Sequence, residues 1–176
     1  SQTSNNSASG VAWIISTSSP FNPWVSLNTP NQFSQGIALT GFTFSIPSGA
    51  TIVGVEATVG YTVTNCKDSI VKLTNGGLEF GTNKATNILI PMSSGSTDLS
   101  YGSPTDTWGS SLTPSIINSS SFGIVVYIYL STSSTGGGGL YLSGSPWNPA
   151  KIQVYYTIAT GIIESQESTT SSFSLL

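Results

Sequence analysis

Residues 52–63 read IVGVEATVGYTV, and this stretch decides the fold. Its odd-numbered positions, from Val53 to Val63, are all apolar or aromatic, whereas the even-numbered ones include a glutamate, two threonines and two glycines. Successive side chains of a strand point to opposite faces, so this alternation predicts a β-strand with one face in a core. Gly54 and Gly60 lie on the more polar face, where a bulge or a close crossing chain would explain them.

Three further segments extend the β pattern. Residues 122–130, FGIVVYIYL, are almost continuously apolar, which predicts a strand buried on both faces. Residues 151–158, KIQVYYTI, alternate as residues 52–63 do. The pair Asn75-Gly76 separates two short apolar runs and predicts a hairpin, because such a turn needs positive φ at its centre.

Residues 93–121 look like a long loop rich in Ser, Thr and Gly. Thr113 suits the N-cap of a helix and Pro114 suits its first position, so we expect one helical turn over residues 113–118. A long irregular stretch in a compact domain is usually functional. We therefore take this loop as the first place to look for a binding site.

Together these patterns predict an all-β protein. About eight to ten short strands with regular turn signals and no long helix indicate an antiparallel β-sandwich, jelly-roll-like, with at most one short helical turn. We expect a polar N-terminal arm at residues 1–10 and a single sandwich domain at residues 11–160. Residues 161–176 are expected to form a polar C-terminal tail outside the core.

The chain is poor in ionisable groups. Only 6% of its 176 residues are charged, against about a quarter in an ordinary soluble domain. It contains no histidine, and its four basic residues are all lysines. Most hydrolytic and proton-transfer chemistry uses histidine, paired carboxylates, or activated lysine or cysteine. The composition therefore predicts a protein that is not an enzyme and holds no cofactor.

Charge also limits the classes of partner. The net charge is −3 and the lysines are scattered, so there is no basic stripe for the phosphates of a nucleic acid. No apolar run reaches the roughly 20 residues needed to span a membrane. Few charges of either sign give little protection against self-association, which suits a surface covered by neighbouring subunits.

Two pairs of acidic residues are candidates for chemistry. Asp98 and Asp106 lie in oxygen-rich segments that suit Ca²⁺, but isolated aspartates in Ser/Gly loops more often bond to backbone amides. Glu56 and Glu79 would suit glycoside hydrolysis only if they faced each other across a cleft. Cys66 is best explained as a small residue at the end of a strand. We expect none of these residues to form a catalytic or metal site.

Aromatic and amide side chains are the remaining candidates. The four tryptophans are either core residues or a surface on which sugar rings stack; they are Trp13, Trp24, Trp108 and Trp147. Within the 93–121 loop, four side chains are candidates for a ligand-binding or interface surface. They are Tyr101, Asp106, Trp108 and Asn118.

Two longer segments carry a further pattern. They are residues 41–59, GFTFSIPSGATIVGVEATV, and residues 101–126, YGSPTDTWGSSLTPSIINSSSFGIVV. Both resemble a β-sandwich domain found in virion proteins of tailed bacteriophages. Residues 68–85 and the terminal IQVYYT at 152–157 fit the same pattern, so the resemblance spans about residues 24–157.

The resemblance implies a structural role and brings no catalytic residues with it. Domains of this kind occur in head-decoration, head-fibre and tail-fibre proteins. The expected function is therefore a virion structural protein that decorates or cements the capsid surface or forms part of a fibre. Its expected partners are the major capsid protein or fibre and tail subunits, and the resemblance implies a homo-oligomer, in particular a trimer. The alternative is a carbohydrate-binding, adhesive module that meets a host glycan through the 93–121 loop.

Overall fold

The computed structural model describes residues 7–8, 25–27, 31–34, 36–63, 66–90, 97–130, 138–141, 150–158, 163–169 and 172–175. These residues form thirteen strands and one short helix, α1 (Pro114–Ile117). The strands are β1 (Ser7–Ala8), β2 (Val25–Leu27), β3 (Gln32–Phe33), β4 (Ile37–Thr40), β5 (Thr51–Val63), β6 (Cys66–Asn75), β7 (Leu78–Phe80), β8 (Thr97–Ser103), β9 (Gly123–Leu130), β10 (Gly138–Tyr141), β11 (Ala150–Thr157), β12 (Ile163–Thr169) and β13 (Ser172–Leu175). The prediction of an all-β sandwich is confirmed.

The strands form two sheets around one hydrophobic core. In the first sheet, β5 pairs with β11 along one side and with β8 and β10 along the other. Next to β11 lies β12, and β2 pairs with β10. In the second sheet, β9 lies between β6 and the short strands β3 and β4. The outer strands β7 and β13 pair with β6 and β4.

The central strand β5 alternates as its sequence predicts, with one correction. Val55, Ala57 and Val59 are fully buried in the core. The expectation that Val53 shares their face is wrong, because Ile52 is the buried residue at this end of β5. Tyr155 of β11 pairs with Gly54 and Tyr156 pairs with Ile52, so Val53 is an extra residue of β5 at this register shift. A bulge of this kind adds one unpaired residue and reverses the inward and outward positions beyond it.

Two local predictions are confirmed. Gly76 and Gly77, both with positive φ, form the turn between β6 and β7. Thr113 caps α1 by accepting a hydrogen bond from the Ile116 backbone N–H, and Pro114 occupies the first turn. No helix in the described part of the chain is long and apolar enough to cross a membrane.

Strand β9 is buried on both faces only in its first half. Residues 123–126 are all buried, whereas Tyr127 and Tyr129 are partly exposed between the buried Ile128 and Leu130. The second half therefore presents tyrosines on the outer face of the second sheet.

Two segments expected to be irregular are strands. β8 lies within the expected 93–121 loop and pairs with β5 from Val55 to Tyr61. Part of the expected tail at residues 161–176 forms β12 and β13, which extend the two sheets. Ser168 of β12 is fully buried, so this segment belongs to the core rather than lying outside it. Few of its side chains are apolar, and its place is set by hydrogen bonds that the composition does not reveal.

The polar N-terminal arm also contacts the sandwich, since Ser7 and Ala8 pair in parallel with β12. Residues 11–16, VAWIIS, whose apolar run predicts a short strand, lie outside the described residues, as do Trp13, Trp24 and Trp147. The jelly-roll-like connection of the strands stays a prediction.

Candidate functional site

Two of the four predicted site residues are buried in the core. Trp108 is inaccessible to solvent, and its indole N–H donates to the Val55 carbonyl at 2.9 Å. Its φ of 58° lies in the left-handed region. Tyr101 is also buried. Neither ring is available to stack on a sugar, so the structure contradicts the use of these two residues as an exposed ligand surface.

Asp106 lies in the same turn and has a structural partner. Its carboxylate forms an ion pair with the Lys84 ammonium at 2.6 Å and accepts a hydrogen bond from the Trp108 backbone N–H at 2.7 Å. Partial burial raises the pKa of this carboxyl, but the Lys84 and Trp108 hydrogen bonds and the Lys84 charge outweigh it and lower the pKa below its usual value. Asp106 thus stays ionised and holds the turn closed. The described residues contain no group of three or more His, Cys, Asp and Glu side chains that would suit a metal ion.

Asn118, the fourth predicted residue, pairs with a different part of the chain. Its side-chain amide donates to the Ile46 carbonyl and accepts from the Ile46 backbone N–H, both at 2.8 Å. This two-way contact attaches the end of α1 to the segment before β5. The residue explains the packing of a loop rather than the recognition of a ligand.

The two glutamates weighed for hydrolysis are not brought together. Glu56 lies on β5 in the first sheet, where the Tyr155 hydroxyl donates to it at 3.4 Å. Glu79 lies on β7 in the second sheet and accepts a hydrogen bond from the Tyr127 hydroxyl. That contact, with partial burial and the Glu79 charge, raises the pKa of Tyr127 to about 12. The positions do not form the facing carboxylates that glycoside hydrolysis requires.

An open groove lies instead on the outer face of the second sheet. We call it the outer groove; its lining residues are Asn31, Phe33, Lys67, Ser69, Asn87 and Tyr129. Its volume is about 410 Å³, within the range of roughly 300–1,000 Å³ that small-molecule pockets span. Three neighbouring strands supply its floor, since Phe33 of β3 and Lys67 of β6 both pair with Tyr129 of β9.

The floor of the outer groove consists of two rings and a cation. The Phe33 and Tyr129 rings have centroids 4.8 Å apart and are tilted by 51°. The Lys67 ammonium lies 5.5 Å from the centre of the Tyr129 ring, within the distance of a cation–π contact. Phe33 is 62% exposed, an unusual state for a phenylalanine beside other aromatic groups. The groove therefore offers an apolar surface and a positive charge side by side.

The rims of the outer groove carry two asparagines in the left-handed region of φ. Asn31 has φ 62°, its backbone N–H donates to the Leu130 carbonyl at 2.9 Å, and its side-chain oxygen accepts from the Tyr129 hydroxyl at 2.7 Å. Asn87 has φ 56°, and its backbone N–H donates to the Asp68 carboxylate at 2.8 Å. Asparagine tolerates this conformation better than most residues. Both rims are held by hydrogen bonds to the strands beneath them.

A buried polar cluster supports one rim. Asp68 accepts hydrogen bonds from the backbone N–H and the hydroxyl of Thr86, at 2.7 and 2.8 Å. The Tyr101 hydroxyl lies 3.2 Å from the same carboxylate and 2.9 Å from the Tyr61 hydroxyl. Burial raises the pKa of both tyrosines, so their hydroxyls remain protonated donors. Tyr101 thus acts beneath the surface, through the segment that carries Asn87.

Sequence reasoning missed the outer groove for identifiable reasons. Its residues come from four separate segments, and Tyr129 belongs to a run that predicts burial on both faces. The signal that was present is the alternation of Tyr127 and Tyr129 with Ile128 and Leu130, which indicates two faces of different polarity. Asn31 and Phe33 lie at the end of a proline-rich stretch, where no periodicity marks them.

Comparisons with known proteins add no family to this description. No family model, no curated protein and no solved structure matches the chain.

Proposed function

We propose that this chain is a non-enzymatic structural protein of a tailed-phage virion, which decorates or cements the capsid surface or forms part of a fibre. It acts by burying its surface against neighbouring subunits. Support comes from the resemblance of residues 41–59 and 101–126 to such domains, and from an unusual edge of the second sheet. The jelly-roll-like topology and the trimer belong to the same proposal.

The edge on which the proposal rests lies on the side of β6 that faces away from β9. Strand β7 pairs with the end of β6, and residues 84–90 follow its earlier part through the Lys84 N–H to Val71 and the Ile90 N–H to Cys66. Three of the four large hydrophobic side chains that are exposed in the described chain lie here. They are Leu78, Ile88 and Leu89, with 75%, 68% and 51% of their surface accessible. We call this surface the β7 edge.

The β7 edge has the character of an interface. Burying apolar area stabilises by about 25 cal/mol per Å², so leaving three such side chains in water is unfavourable unless a partner covers them. Natural sheets usually protect an edge with charged side chains, and this chain has few to use. A neighbouring subunit is the covering that fits, because Leu78, Ile88 and Leu89 are exposed apolar side chains.

The test compares assembly of the wild-type chain with a variant of the β7 edge. We expect wild-type protein to form an oligomer in sedimentation experiments and Leu78→Ser with Ile88→Ser to shift it toward monomer. Phe33→Ser, an equally exposed apolar change away from this edge, serves as the control and leaves assembly unchanged. A wild-type chain that is monomeric and does not add saturably to phage heads or fibres contradicts the proposal.

The second candidate function is an adhesive module that binds a host glycan. The observation that favours it is the outer groove, with its exposed Phe33 ring and two rim amides. Protein sites for small ligands combine apolar surface with a few placed polar groups. The groove replaces the 93–121 loop in this hypothesis, because the rings of that loop are buried. Specific binding on a glycan array that is lost in Phe33→Ala supports it. Binding that persists in this variant shows that the glycan site is not the outer groove, and the absence of any glycan binding contradicts the adhesive function.

A further inference from the structure

We propose that the outer groove binds an acidic saccharide, a sugar chain that carries carboxylate groups. The inference rests on the second proposed function and names its class of ligand. Three features of the groove carry it: an exposed ring pair, two rim asparagines whose backbone N–H groups are hydrogen-bonded, and a lysine that forms no ion pair with the other described residues.

The ring pair fits one face of a sugar. Phe33 and Tyr129 are tilted against each other, so they form an angled apolar surface rather than a flat one. A pyranose ring presents C–H groups on its faces and hydroxyls around its edge. Its apolar face packs on the rings and loses contact with water, while its hydroxyls point toward the rims. Aromatic side chains provide large contact area at little cost in conformational entropy.

The side-chain amides of Asn31 and Asn87 line the groove and can form hydrogen bonds with these hydroxyls. A side-chain amide has two donors and one acceptor oxygen. Asn31 uses its oxygen for the Tyr129 hydroxyl, which leaves the amide N–H groups as donors to a ligand. Asn87 is held by its backbone bond to the buried Asp68. Positions fixed before binding lower the entropic cost of recognition.

The Lys67 ammonium in the groove favours a negatively charged ligand. Two other lysines of the described chain form ion pairs: Lys84 contacts Asp106, and Lys151 contacts Glu167. Lys67 contacts the Tyr129 ring, and no acidic side chain lines the groove among the described residues. A single ammonium beside amide donors suits a carboxylate, since charge-assisted hydrogen bonds are the stronger ones. One cation is too few for a polyphosphate backbone, which proteins contact with several lysines or arginines.

The experiment measures binding of oligogalacturonate and oligosialic acid, each compared with its methyl ester, by calorimetry on the full chain. Esterification removes the charge and keeps the sugar. We expect one of the two acids to bind about tenfold more tightly than its ester, which is the scale of one charge-assisted contact. Lys67→Gln abolishes that difference. The matched control is Lys72→Gln, on the outer face of the same strand, which preserves it.

A second pair of variants tests the rings. Phe33→Ala weakens binding of both the acid and the ester, whereas Leu78→Ala, an exposed apolar residue on the β7 edge, changes neither. Unfolding in urea confirms that each variant is folded.

The outcomes separate this inference from the function on which it rests. Equal binding of acids and esters, still lost in Phe33→Ala, overturns the acidic ligand and leaves the adhesive function standing. If neither acid nor ester binds, the acidic ligand is overturned, and the glycan array decides the adhesive function. Tighter binding of an oligoglutamate peptide than of either sugar shows that the groove takes an acidic peptide and overturns the saccharide.

Discussion

Asp68 shows how one residue shapes the surface of this protein. It is a fully buried carboxylate in a chain that has only seven acidic residues. Its oxygens accept hydrogen bonds from Thr86, Asn87 and Tyr101. A buried charge is tolerated only when its lone pairs are satisfied. Asp68 thereby holds the segment that carries one rim of the outer groove against the second sheet.

Replacing this carboxylate should loosen that segment. Asp68→Ala removes the carboxylate that accepts hydrogen bonds from Thr86, Asn87 and the buried Tyr101 hydroxyl, and we expect a loss of about 2–4 kcal/mol in the free energy of unfolding. Urea denaturation measures it. Asp98→Asn, an exposed aspartate on β8, is the control and should stay within about 0.5 kcal/mol of wild type. A loss of that small size in Asp68→Ala would contradict the supporting role.

Trp108 should act on stability and not on binding. Trp108→Phe keeps a ring in the core but removes the N–H that bonds to the Val55 carbonyl. We expect the free energy of unfolding to fall by about 1–3 kcal/mol, because a buried carbonyl loses its partner and the smaller ring leaves space. Sugar binding in the outer groove should be unchanged. A variant of wild-type stability that no longer binds would restore Trp108 as a ligand residue.

At the scale of elements, close contacts between strands and loops explain features that look like defects in the sequence. Gly54 interrupts the apolar pattern of β5, and a Cβ atom there would lie 2.2 Å from the Pro104 carbonyl oxygen. The expected close crossing chain is therefore the turn after β8. The bulge at Val53 lies one residue away and aligns Ile52 with the core.

The Gln166 side chain of β12 forms hydrogen bonds with the Ser45 backbone, as a neighbouring strand would. The Gln166 amide accepts from the Ser45 backbone N–H at 3.0 Å and donates to the Ser45 carbonyl at 3.2 Å. Gln166→Ala removes both bonds, and we expect it to cost about 1–2 kcal/mol in thermal or urea unfolding. Ser165→Ala, on the opposite face of β12, is the control. Equal stability of the two variants would mean that β12 contributes through its backbone alone.

At the scale of the whole molecule, the two sheets are joined along one side by polar contacts as well as by the core. Lys84, which follows β7 of the second sheet, pairs with Asp106, which follows β8 of the first. The Lys84 ammonium also lies 5.9 Å from the centre of the Trp108 ring. In a chain with 6% charged residues, this ion pair is a rare tie between sheets.

The Lys84–Asp106 ion pair should make the free energy of unfolding depend on pH. The pKa of Asp106 is lower in the folded chain than its usual value of 3.8, so the unfolded state binds more protons and the pair's contribution is complete above that value. Lys84→Met should therefore cost about 0.5–1 kcal/mol near neutral pH. The difference from wild type should shrink as pH falls below 3.8.

Urea unfolding of both proteins from pH 7 to pH 2.5 tests this dependence. Lys72→Met is the control, because it removes a lysine on β6 that forms no ion pair with another described residue. A difference between Lys84→Met and wild type that stays constant across the range would show that the Lys84 ammonium acts through its contact with the Trp108 ring instead.

The sequence by itself determined the features that depend on neighbours along the chain. Period-two alternation identified β5 and β11, Asn75-Gly76 identified the β6–β7 hairpin, and Thr113-Pro114 identified α1, since each is set by local backbone geometry. The all-β class followed from these elements together. The scarcity of charge was equally visible, and it underlies the proposal that neighbours cover the β7 edge.

Only the tertiary structure decided which side chains meet and which remain in water. Tyr101 is buried on β8, where it pairs with Ala57 of β5, and Trp108 is buried in the turn that follows β8. No spacing in the 93–121 segment reveals either position. The outer groove exists because β3, β9 and β6 lie side by side and Asp68 holds Asn87 at their margin. Residues 163–169 become a strand because β11 offers an unpaired edge. Contacts between distant segments depend on register and burial, and these are properties of the folded sheets.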